Sequence, residues 1–167
     1  FIKVLSLSVL LSLTVGCVGG STNSKPISVK QEYTGEVRHA ENLIQKKTPS
    51  FKVEVAYPFV ITGDLDGEEL LKWKSRVVRS QRALKKLFFK EDPSEVMTVW
   101  LFKSTESYNK YNKQLWGITP NTPYGYYIPK SKRMVMNIAT GGGTLTHELV
   151  HPYITENIPK SPLWFHE

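Results

Sequence analysis

Residues 96–117 read VMTVWLFKSTESYNKYNKQLWG, and this stretch decides the fold. Its first part, VMTVWLF (96–102), is a nearly continuous apolar run, the pattern of a buried strand. Ser104 stands where a helix cap belongs. Tyr108, Tyr111 and Leu115 then fall on one helical face, and Gly117 ends the helix. Upstream, FKVEVAYPFVIT (51–62) alternates and is rich in β-branched residues, so it reads as strand. Pro58 has no N–H for a ladder and implies a break or an edge position. Asp64 or Asp66 can cap a helix whose first turn holds Glu68 and Glu69. Leu70, Trp73, Val77, Leu84 and Phe88 share one face of it. Downstream, PYGYYIPKSKRMVMNIA (123–139) reads as a hairpin with arms 124–128 and 133–139 and a turn over 129–132. Gly141, Gly142 and Gly143 lead into a third helix near Thr144. The predicted order is strand, helix, strand, helix, hairpin, helix: an α+β fold with helices packed on a small mixed sheet.

The chain has 167 residues, the size of one domain with a real core. Hydrophobic content of 40% and charged content of 22% are those of an ordinary globular protein. The net charge is +7, but Lys and Arg are scattered, mostly between positions 72 and 133. That pattern favours a solvated basic surface, so nucleic acid is not an expected partner. Phe1 at the start, and Glu167 with no polar tail after it, read as cut ends of a longer protein.

FIKVLSLSVLLSLTVGC (1–17) has Lys3 and then an apolar run from Val4 to Val15. A spanning helix needs roughly 20 apolar residues, so the run reads as a secretory signal. The stretch 13–17, LTVGC, resembles a bacterial lipobox, and Cys17 is the only cysteine. The resemblance implies a signal peptide over 1–16 and a lipid anchor on Cys17, holding the protein to a membrane of the cell envelope. Residues 17–50 are polar and read as a flexible tether, which starts the folded domain at 51 and extends it to 167.

TLTHELVHPYI (144–154) contains H-E-x-x-H. His147 and His151, four apart, project from the same side of a helix. Two neutral imidazoles there suit Zn²⁺. Glu148 points roughly 100° around the helix from His147, where a carboxylate can take a proton from a metal-polarised water. Leu149 and Val150 suit a half-buried helix. Pro152 removes the hydrogen bond to the Glu148 carbonyl, so a bend or stop is expected at that point.

A catalytic zinc needs a third protein ligand. Glu156, His166 and Glu167 are the downstream candidates. Glu156 rotates off the ligand face, and Ile154 and Asn157 exclude the metzincin pattern. The segment PLWFHE (162–167) has the form P-x-W-x-x-E. Together with H-E-x-x-H it resembles the gluzincins of the peptidase MA-like group, and the resemblance covers about residues 55–167. It implies a zincin-like subdomain, with Glu167 as third zinc ligand beside His147 and His151, and Glu148 as general base in peptide-bond hydrolysis. It also implies that the strand before the zinc helix pairs with an extended peptide substrate, with Met134, Val135, Met136 and Asn137 as candidates. The alternative is a non-catalytic envelope lipoprotein that binds peptide or scaffolds through the same fold.

Overall fold

The structure, a computed structural model, describes residues 34–162. The signal segment, Cys17, His166 and Glu167 lie outside the described residues. Within them run α1 (Thr34–Lys47), β1 (Lys52–Ala56), β2 (Phe59–Gly63), α2 (Gly67–Leu87), β3 (Met97–Phe102), α3 (Thr105–Trp116), β4 (Gly125–Ile128), β5 (Arg133–Asn137) and α4 (Gly143–Asn157). The fold is α+β, as the sequence predicts.

The strands form one mixed sheet in the order β1-β2-β3-β5-β4. β3 lies at its centre, parallel to both β2 and β5, while β1 and β4 are antiparallel edges. Five of the six β3 residues are buried, which accounts for its unbroken apolar sequence. Alternation along the strands divides the core in two. Phe59, Ile61, Val99, Leu101, Met134 and Met136 face α2 and α4. Val60, Trp100, Phe102 and Val135 face α1 and α3.

The caps fall where the sequence places them. Asp66 accepts a hydrogen bond from the Glu69 N–H at 2.8 Å and starts α2. Ser104 caps α3 through a reciprocal pair with Ser107, and Gly117 ends that helix at φ 69°, a conformation that favours glycine.

Three expectations change. Residues 51–62 form a hairpin rather than the single strand of the predicted order, with the break that Pro58 implies falling between β1 and β2. The tether does not extend to residue 50. Residues 34–47 form α1, and its Ala40 and Ile44 are buried against Phe51, Val60 and Trp100. Val37, Ala40 and Ile44 make a narrow apolar stripe at helical spacing, which the polar composition of the segment hides. Phe88 is 73% exposed rather than buried. α2 stops at Leu87, and the non-helical backbone of Phe88 (φ −132°, ψ −37°) turns its ring off the buried stripe.

Candidate metal centre

The path into α4 is fixed before the helix begins. Asn137, last residue of β5, is buried, and its amide donates to the Pro123 carbonyl at 2.8 Å and to Thr105 Oγ1 at 3.0 Å. The Thr140 hydroxyl donates back to the Asn137 carbonyl at 2.8 Å. Gly141 follows at φ 100°, a conformation that L side chains rarely adopt. Gly142 lies against the Arg76 guanidinium, where a Cβ would stand 1.7 Å from a guanidinium nitrogen. The glycines thus permit a turn and a close side-chain approach.

α4 then packs Leu145, Leu149 and Tyr153 onto the sheet. These residues recur every four positions, and His147 and His151 share another side of the helix, His147 exposed and His151 half-buried beside β4. The helix does not stop at Pro152 but runs on to Asn157. One missing N–H is outweighed because the far half is anchored. Asn157 Oδ1 accepts from the Lys90 and Glu91 N–H groups at 3.0 and 2.9 Å, and Glu156 accepts from the Ser94 N–H and hydroxyl at 2.9 and 2.7 Å. The Tyr153 hydroxyl donates to Asp92 at 3.0 Å, and its ring stacks on Phe89. Glu156 is therefore occupied with Ser94 and is no ligand candidate.

His147, Glu148 and His151 bring one possible ligand atom each to within 4.8 Å of one another. Ligands of a tetrahedral zinc stand about 3.4 Å apart, given Zn–N bonds of about 2.0–2.1 Å. The 4.8 Å spread is wider than that, and the two imidazoles are donor types that suit a zinc ion. The two imidazoles meet edge to face, with centroids 5.0 Å apart at 84°. Glu148 Oε2 lies 3.6 Å from His151 Nε2. His147 is exposed, whereas the His151 and Glu148 side chains are only 14% and 11% exposed. Burial raises the Glu148 carboxyl above the ordinary glutamate value, and the nearby His147 partly opposes that rise.

Tyr127, on β4, has its ring stacked parallel to the His151 imidazole, at 9° with centroids 6.2 Å apart. Burial, with a smaller effect from Glu95, pushes its phenol up to about 12, so the ring is neutral at physiological pH. Sequence reasoning missed this residue. Strand alternation could have shown only that Tyr126 and Tyr127 face opposite sides of the sheet.

The peptide-pairing candidates need correction. Met134, Val135, Met136 and Asn137 are all buried, and β5 is hydrogen-bonded to β3 on one side and β4 on the other. A strand with both edges paired cannot take up a peptide. Among the described residues the open edge nearest the histidines belongs to β4, because the second arm of the hairpin pairs with β3 and moves inward. Glu167 and Cys17 lie outside the described residues.

No protein-family model matches the chain, and no curated protein matches it.

Proposed function

We propose that this chain is a membrane-anchored zinc peptidase of the gluzincin type. The observation that carries the reading is the convergence of His147, Glu148 and His151 within 4.8 Å on one helix, in H-E-x-x-H order. His147, His151 and Glu167 would hold the ion. A bound zinc supplies Lewis acidity, polarising a carbonyl and making water acidic enough to attack near neutral pH. Glu148 is the general base, and its raised affinity for a proton suits it to accept one and pass it to the leaving amine. The open edge of β4 is where an extended peptide would pair, in place of the 134–137 segment. Acylated Cys17 would hold the protein to the cell envelope.

The test is zinc-dependent hydrolysis of a peptide library by the full-length protein, with and without Glu148→Gln. Turnover that requires zinc and is lost in the variant supports the reading. Turnover unchanged in Glu148→Gln sinks it, and zinc binding without turnover supports a non-catalytic peptide-binding module instead. Cys17→Ser is expected to move the protein from the membrane to the soluble fraction, and an unchanged distribution would contradict the anchor.

A further inference from the structure

We infer that Tyr127 is a positioning residue that fixes the orientation of the His151 imidazole for metal binding. The inference rests on the reading of the cluster as a metal centre.

A histidine ligand must aim one ring nitrogen at the ion, and a free imidazole turns about its Cβ–Cγ bond. Tyr127, His147 and Glu148 all stand beside His151. The Tyr127 ring lies parallel to it at 9°. The His147 ring meets it at 84°. The Glu148 carboxylate lies 3.6 Å from Nε2. His147 and Glu148 are on the same helix and belong to the cluster itself. Tyr127 comes from the sheet, and β4 is held in register by its pairing with β5, where Tyr127 stands opposite the buried Met134. A parallel aromatic plate on a strand restricts rotation of the imidazole without taking a ligand position. It thereby lowers the ordering cost of metal binding, as supporting groups around metal ligands do. Stacking by aromatic pairs is modest, so the expected effect is a loss of about three- to tenfold in metal affinity when the ring is removed.

Zinc affinity is measured by competition with a chromophoric chelator for the wild type, Tyr127→Phe and Tyr127→Leu, each as full-length protein. Ring protons of His151 are followed by NMR in the metal-free proteins, and melting temperatures are recorded alongside. Tyr127→Phe keeps the ring and should bind zinc as the wild type does. Tyr127→Leu should bind more weakly and lose the ring-current shift at His151. Equal affinity in Tyr127→Leu overturns the inference while the metal-centre reading stands. A lower melting temperature with unchanged affinity likewise overturns it, since that is a packing role alone. A wild type that binds no zinc overturns both, and so separates failure of the centre from failure of Tyr127.

Discussion

The two faces of the sheet place their polar groups differently. Under α1 and α3 the core is aromatic and closed: Phe51, Phe102 and Tyr111 pack edge to face and stacked, and Phe102 also meets Tyr108. Its buried Asn112 donates to the Tyr108 carbonyl at 2.8 Å and accepts from the Tyr126 hydroxyl. Under α2 and α4 the core begins as aliphatic packing but ends at two imidazoles and a mostly buried carboxylate. Asn112 and Tyr126 on the first face are neutral and bonded to each other, so they serve stability. The imidazoles and carboxylate on the second can titrate, and burying Glu148 works against its charged form. Perturbed ionisable groups of that kind concentrate at functional sites.

The contrast breaks first at the closed face. Phe102→Ala removes a fully buried ring and should cost about 3–5 kcal/mol in denaturant unfolding, while the folded fraction keeps its zinc affinity. A loss of zinc affinity in the folded fraction would show that the two faces are not independent. On the other face, Glu148→Gln should lower peptidase turnover by about 10²- to 10⁴-fold, the usual contribution of a general base, with zinc retained.

The same variant sharpens the contrast through pH. Folding raises the Glu148 pKa, so the folded state holds that proton to higher pH than the unfolded chain does. The stabilisation is complete below the ordinary glutamate value and is lost as pH rises through the raised one. In chelator, Glu148→Gln should therefore gain on the wild type in melting temperature between acid and neutral pH. Parallel curves would contradict the effect of burial on this carboxylate.

Smaller effects belong to the anchors. Asn157→Ala frees the end of α4 beyond Pro152 and should cost about 1–2 kcal/mol by calorimetry. Asp66→Ala removes the α2 cap and should cost about 1 kcal/mol, with no change in zinc affinity.

Legibility in the sequence followed the range of the forces involved. Local signals were readable: the Asp66 and Ser104 caps, Gly117, the apolar run of β3 and the turn between β4 and β5 each depend on a few neighbouring residues. α1 was hidden because Val37, Ala40 and Ile44 are few among many polar residues, and their burial depends on Trp100 and Val60 far along the chain. Which arm of the hairpin lies at the edge is a property of the whole sheet, so the 134–137 segment was misassigned. The histidine pair was legible because four-residue spacing alone places both rings on one side of a helix. Tyr127 was not, because its contact with His151 exists only once β4 and α4 have packed. Helix continuity through Pro152 depended on partners at Lys90, Glu91 and Ser94, which no local pattern reveals.

The central claim is that His147 and His151 hold a metal ion. The most direct measurement is a zinc titration of the full-length protein, made metal-free and followed by calorimetry, beside the His147→Ala, His151→Ala double variant. The account predicts one equivalent of zinc bound by the wild type and none at this site in the variant, with the fold intact by circular dichroism. Absence of stoichiometric binding in the wild type, or equal binding in the variant, would contradict it.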